Sequence, residues 1–417
     1  MSSFSTSILR LRDFRLLLVM RTATIMALQA QAVIVGWQIY SLTRDPFMLG
    51  LVGLAEAIPA ITAAFFAGHI VDTSRPQKVY ILAGICLVLN TLGLFLVGGG
   101  IVSLDHNILV AFIFLGVFLS GLARSFMPPA TFAMLPHIIP RADLPAASSW
   151  ITSGFQIGAI AGPAIAGVLY GFYGPLVAWM MPLGLLIIAL MAALGMKVNI
   201  PAHVSEGKEP MFKSIRAGWL FVIQNPVLLS VMALDMFAVL FGGAVAMLPA
   251  FADQILQAGS EGLGAMRAAP AVGAVIVALY FGFFPMKVVS ARVLLCMVAG
   301  FGASIIGFGL STSFWVSMAF LAASGAFDSV SMIMRSTILQ LMTPDRMRGR
   351  VSSLSSIFVI SSNEIGAFES GLAARILGLV PSIVFGGGMT LMIVGMTSFI
   401  SPKFRNTIVK ADDRPLA

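Results

Sequence analysis

With 417 residues, 59% of them hydrophobic and only 10% charged, the chain lies far outside the range of soluble domains, which carry about 25% charged residues. A mean hydropathy of +0.98 and 31 phenylalanines argue against both a water-soluble enzyme and a disordered chain. The net charge of +8 does not point to nucleic acid: the basic residues sit in short segments between apolar runs, where Lys and Arg fix membrane orientation.

The chain opens with Arg10, Arg12 and Arg15 ahead of an apolar run too long and too polar-studded for a cleaved leader, so these arginines read as retained anchors. A helix needs roughly 20 mainly apolar residues to cross the hydrocarbon core. Spans are expected near 14–42, 48–70, 79–100, 108–132, 145–170 and 175–197, then near 226–254, 262–285, 290–311, 314–341, 351–378 and 381–401. The polar stretch 198–215 divides them six and six. Within it, 211–224 (MFKSIRAGWLFVIQ) reads as a short amphipathic helix at the membrane surface, basic on one face and aromatic on the other. The expected fold is therefore an all-α membrane protein of twelve transmembrane helices in two pseudo-symmetric six-helix bundles. Its domains are 1–197, a cytoplasmic linker 198–225, and 226–417.

A cytoplasmic N-terminus places nineteen basic residues in inside segments against Arg44 alone outside, which sets both termini inside. The halves also match weakly. A shift of 204 aligns Gly121, Ser125, Pro140, Gly162 and Gly167 with Gly325, Ser329, Pro344, Gly366 and Gly371. A shift of 211 aligns Gly53, Pro59 and Ala60 with Gly264, Pro270 and Ala271. Parallel repeats of this kind build many transporters.

Charges inside the membrane cost about 2.5–3.5 kcal/mol each on the insertion scale and mark function by default. Those expected within spans are Glu56, Arg124, Asp235, Arg267, Asp328, Arg335, Glu364 and Glu369. Spans 3, 6, 9 and 12 carry none and read as outer supports. Glu56 with Arg267, and Arg124 with Asp328, are repeat-related and opposite in sign, which invites pairing. Thr24, Gln31 and Gln38 recur every seven residues on span 1, and Gln156 lies on span 5; these polar stripes read equally as cavity lining or as hydrogen bonds between helices.

The segment from Gly68 through Asp72 to Arg75 and Lys78 is similar to the GxxxD(R/K)xGR(R/K) loop of the major facilitator superfamily, although Thr73 and Arg75 depart from it. Gly158, Gly162, Pro163 and Gly167 resemble that family's antiporter signature GxxxGPxxGG, with Ala166 in place of a glycine. Stretches such as Leu234–Gly243, Glu261–Pro270, Thr343–Arg350 and Asn363–Gly371 resemble the branch containing enterobactin exporters and twelve-span macrolide-type efflux proteins. The resemblance implies a secondary active exporter of the bacterial inner membrane, driven by proton antiport and alternating access. Gly68, Asp72 and Arg75 would then form a cytoplasmic gate.

On that reading the proton-coupling candidates are Glu56, Arg124, Asp235, Asp328 and Glu364. The cavity candidates are Gln31, Gln38, Gln156, Arg267, Arg335 and Glu369. Expected partners are a small amphipathic cargo and membrane lipids, with no nucleic acid and a monomeric working state. A proton-coupled importer, a lysophospholipid transporter and a non-transport membrane subunit are the rival readings. Cys86 and Cys296 lie in apolar stretches, the four histidines are scattered, and no GxxxxGK[ST] loop occurs. No metal, cofactor or direct use of ATP is expected.

Overall fold

The computed structural model describes residues 6–140, 143–197, 211–283 and 288–410. Helices dominate, as they must where lipid offers the backbone no hydrogen-bond partner. In chain order they begin with α1 (Arg12–Thr43), α2 (Pro46–Thr73), α3 (Pro76–Gly98), α4 (His106–Arg124), α5 (Met127–Ile138) and α6 (Leu144–Gly195). Next come α7 (Met211–Gln224), α8 (Pro226–Phe241), α9 (Leu248–Gln254), α10 (Gly259–Phe283) and α11 (Ala291–Leu310). The last four are α12 (Phe314–Met342), α13 (Asp345–Leu377), α14 (Leu379–Ile400) and α15 (Pro402–Arg405). Among the described residues, ten helices are long and apolar enough to cross a membrane.

Local chemistry sets the boundaries. Arg44 ends α1 in the left-handed region at φ 54°, its N–H donating back to the Tyr40 carbonyl. Asn225 separates α7 from α8 and accepts the Val227 and Leu228 amides on its side chain, satisfying donors that a helix start leaves open. Gly174, at φ 80° and ψ 179°, breaks the long α6 into two helices, a conformation that a side chain would oppose. The run expected as one span over 226–254 is interrupted at Gly242–Gly243 and by a 3-10 turn, Ala244–Met247, before α9. Glycine is required there because the chain crosses the backbone of α13: a Cβ on Gly243 would lie 2.8 Å from the Gly366 carbonyl oxygen.

The chain forms two compact units. The first comprises Met1–Arg44, Leu54–Glu206 and Gln257–Ala268, and the second Asp45–Gly53, Gly207–Leu256 and Ala269–Ala417. The first is centred on Phe14, Leu17, Tyr80, Leu87, Met134 and Leu186. In the second, Val231, Leu234, Leu294, Met334 and Ile338 pack around the fully buried Phe404 of α15. The sequence pattern offered only a basic tail beyond 401. The structure folds it into β2 (Ile408–Lys410), antiparallel to β1 (Val288–Ser290) with Val289 opposite Val409. Helix α7 occupies the residues expected for the amphipathic helix, and its Val222 packs with Met232, Val351 and Leu354.

Candidate functional site

In the first unit, glycines set how closely helices approach. A Cβ on Gly121 of α4 would fall 2.4 Å from the Glu56 carbonyl oxygen, so α4 lies directly on the backbone of α2. One turn later on the same face, Arg124 reaches the Glu56 carboxylate at 2.6 Å, with the two side chains 29% and 25% exposed. Gly154, Gly158 and Gly162 form a four-residue ladder on α6 against Thr22, Ile25, Met26 and Gln29 of α1. Gly167, the last glycine of the antiporter-type pattern, turns instead to α10 and meets Gly264. The motif is thus a packing surface for two different helices.

The polar stripe of α1 faces the same interior. The buried Gln31 amide donates to Ser120 at 2.8 Å and accepts from Thr91 at 3.1 Å, while Asn90 donates to the same Ser120 oxygen. Gln38 donates to the Gly98 carbonyl at 2.6 Å and accepts from the Trp179 indole at 3.1 Å. Thr24 shares a 2.8 Å hydrogen bond with Tyr80. Both glutamines, offered by the sequence equally as lining, are engaged as clamps between helices. Thr91, Ser120, Asn90 and Trp179 escaped the sequence reading; the signal for Asn90 and Thr91 is their position inside an otherwise apolar span. Gln156 and Arg267 are half-buried. Arg75 is exposed just ahead of α3. The side chains of Asp72 and Glu364 and the surroundings of Gly68, three expected site residues, lie outside the described part of the structure.

In the second unit, Arg335 of α12 is ion-paired and hydrogen-bonded to Asp235 of α8, both side chains being 11% exposed. Its other terminal nitrogen lies 3.6 Å from Asp328, whose side chain is 47% exposed. Asp328, Ser331 and Arg335 follow one another at i, i+3 and i+7, a single helix face. That face lines a narrow crevice of about 10 Å³, room for about one water molecule, beside Ala238 and Val239 of α8 and Val298 and Phe301 of α11. Glu369 is half-buried on α13. Its neighbour Ser370 lies in a packed seam with Phe241, Met247 and Ser382 that leaves no room for a water molecule.

Among the described residues, the ion pairs seen lie within each unit. Glu56 is paired with Arg124, and Asp328 lies beside Arg335. Repeat symmetry relates equivalent positions in the two halves of the sequence, whereas an ion pair needs adjacent helices. Adjacency here follows glycine contacts such as Gly121 on α2. The wall of the second-unit crevice is a further departure: α11, expected as a support, helps form it.

The sequence profile of the transmembrane secretion effector family matches residues 2–414. The enterobactin exporter EntS of Escherichia coli O1:K1 / APEC is 26% identical over 386 residues, spanning 92% of this chain and 90% of its own. EntS of Shigella boydii serotype 4 (strain Sb227) matches to the same extent. Among solved structures, a POT family transporter in complex with 5-aminolevulinic acid superposes with a TM-score of 0.75 at 11% identity, covering 94% of this chain and 96% of that one. A bacterial homologue of the iron transporter ferroportin, in an inward-facing state, gives 0.70 at 16% identity, covering 95% and 99%. At such identities these structures speak for the fold alone, while the profile spans nearly every residue. The chain belongs to the transmembrane secretion effector family of the major facilitator superfamily, and is a membrane transporter rather than an enzyme.

Proposed function

We propose that the protein exports a small amphipathic molecule, siderophore-like or drug-like, across the bacterial inner membrane in exchange for protons. Counting α6 as two passes and adding α13 to the ten apolar helices brings the spans to twelve, arranged as six plus six. The domain limits follow the polar stretch: 1–197, the linker 198–225, and 226–417. Both termini are cytoplasmic, on the strength of the basic residues between spans. A monomer alternates access to its cargo from the two sides. Energy comes from the proton gradient, with no cofactor.

The observation that carries this reading is the grouping of Asp235, Asp328 and Arg335 inside membrane-spanning helices. Ionised groups so placed are costly and persist where they move ions or bind substrate. Similarity to the EntS exporters favours the outward direction. Glu56 with Arg124, and Glu364, complete the set of coupling candidates, and Arg267, Gln156 and Glu369 the cargo candidates. Gly68, Asp72 and Arg75 form the proposed cytoplasmic gate.

The test is reconstitution of the full chain in everted vesicles, acidified inside, with enterobactin and ethidium as separate probes. Accumulation of either that collapses when a protonophore dissipates the gradient supports the reading. Uptake in the opposite direction, or flux indifferent to the gradient for both probes, overturns it.

A further inference from the structure

The arginines deep in the spans are engaged, with one exception. Arg124 meets Glu56 at 2.6 Å, and Arg335 meets Asp235. Arg267 is engaged as well, and Arg375 lies over the Phe47 ring at 5.0 Å. Arg21 of α1 differs: among the described residues it makes no ion pair and no hydrogen bond, and its Nε is enclosed without a partner. An unpaired charge in a membrane-spanning helix is costly and marks a place where a counter-charge arrives.

Arg21 stands about 13 Å along α1 from the first residue of that helix, Arg12. A snorkelling arginine keeps its head in water, whereas here the Nε is shut away while the residue as a whole is half-buried. The titratable group that bears on it is Tyr80 of α3. Thr24 donates to the Met20 carbonyl at 2.8 Å, so in its 2.8 Å contact with Tyr80 the phenol is the donor. Tyr80 thus has its proton committed and brings Arg21 no negative charge.

A second observation gives the site a shape. Arg21, Ile25, Leu28 and Ala32 follow at i, i+4, i+7 and i+11, one face of a helix, and all four are half-buried. Leu17, Met20, Thr24, Ala27 and Gln31, beside them, are buried. Helix α1 therefore carries a half-open apolar line headed by a single cation. Ile25 on that line borders Gly158 of α6, so the line runs along the small-residue ladder.

We infer that Arg21 is the recognition point for an organic anion: its guanidinium takes a carboxylate or sulfonate of the cargo, and the line of Ile25, Leu28 and Ala32 receives an apolar or aromatic body. The anion supplies the missing negative charge and the acceptors that the planar fork of N–H donors lacks. A cation such as ethidium gains nothing there and is repelled. The inference rests on the export reading for its place in transport and narrows that reading's amphipathic cargo to an anionic class, while binding itself is testable without flux. A phospholipid phosphate offers the same chemistry, so the experiment separates the two sources.

Thermal unfolding of the full chain in nanodiscs of neutral phosphatidylcholine, titrated with salicylate and with its uncharged isostere salicylamide, reads the charge preference. The wild type is expected to bind salicylate more tightly than salicylamide. Arg21→Gln should lose that preference, about tenfold in apparent Kd for one charge-assisted pair, and Arg21→Lys, which keeps the charge without the fork, should fall between. Arg375→Gln is the control and should keep it. Removing an unpaired charge should leave the ligand-free Arg21→Gln protein at least as stable as the wild type; a lower melting temperature would mean that Arg21 has a partner in the fold, and overturns the inference. A preference retained in Arg21→Gln, or absent from the wild type, overturns it too. So does stabilisation by phosphatidylglycerol in the discs that Arg21→Gln loses, with no response to salicylate, which would give the guanidinium to lipid. Should salicylate binding depend on Arg21 while neither enterobactin nor ethidium accumulates in everted vesicles, the anion site stands and the export reading falls.

Discussion

Gly167 of α6 and Gly264 of α10 are in backbone contact: a Cβ built on Gly167 lies 2.5 Å from the Gly264 Cα, and one built on Gly264 lies 2.8 Å from the Gly167 Cα. The same relationship recurs between Gly50 of α2 and Gly371 of α13, at 3.0 and 2.7 Å. Gly167 and Gly371 are equivalent under the 204-residue shift, and Gly50 lies one turn from Gly53, the equivalent of Gly264 under the 211-residue shift. The duplicated sequence is therefore matched by duplicated helix contacts, each made possible by the absence of two side chains.

Those contacts predict the cost of a methyl group. Gly167→Ala and Gly371→Ala each place a carbon where backbone atoms already sit, and overpacking of this kind costs about 1–3 kcal/mol. Thermal unfolding of the detergent-purified variants should show the loss. Gly184→Ala is the control, since nothing lies within 4 Å of its would-be Cβ. Equal stability of all three variants would contradict the contact.

The Glu56–Arg124 pair is half-open at one quarter to one third exposure, between the weak surface regime and the buried one. A double-mutant cycle with Glu56→Gln and Arg124→Gln should return a coupling energy of about 1–2 kcal/mol. A coupling near zero would show the two groups acting independently.

Gln31 ties α1 to α3 and α4. Hydrogen bonds between membrane helices average about 0.6 kcal/mol and reach about 1.7, so Gln31→Leu should lower stability by about 1–2 kcal/mol and leave the ranking of transported probes unchanged. The comparison is a melting curve against a competition assay with enterobactin and ethidium. Altered probe ranking at wild-type stability would return Gln31 to the cavity.

Phe404 is fully buried beside Leu234, Leu294 and Ile338, held by the strand pair beyond it. Removing such a ring costs about 3–5 kcal/mol. Phe404→Ala should unfold the second unit at markedly lower temperature and expose sites near residue 290 to proteolysis. Phe404→Leu should recover most of the loss. Resistance of Phe404→Ala to protease would mean that the tail is dispensable.

Much of the architecture was legible because the membrane leaves few options. Runs of apolar residues must be helices, and most expected spans coincide with observed ones; α7 covers the very residues expected, 211–224. The departures are local. Gly242–Gly243 interrupt the helix inside the expected span 226–254, which stays long and apolar enough to cross a membrane as one segment, and a tail that looked merely basic pairs as a strand because Val289 and Val409 find each other across 120 residues of sequence.

The sequence by itself determined that this is a multi-span membrane protein and which residues carry charge within its spans. Composition and periodicity suffice for these, since they are properties of single segments. Only the tertiary structure decided which charge meets which: Arg335 with Asp235 across 100 residues of chain, Glu56 with Arg124, and the glutamines of α1 turned inward as clamps. Partner choice depends on how closely two backbones approach. That approach is set by glycines on both helices together, which neither segment reveals alone.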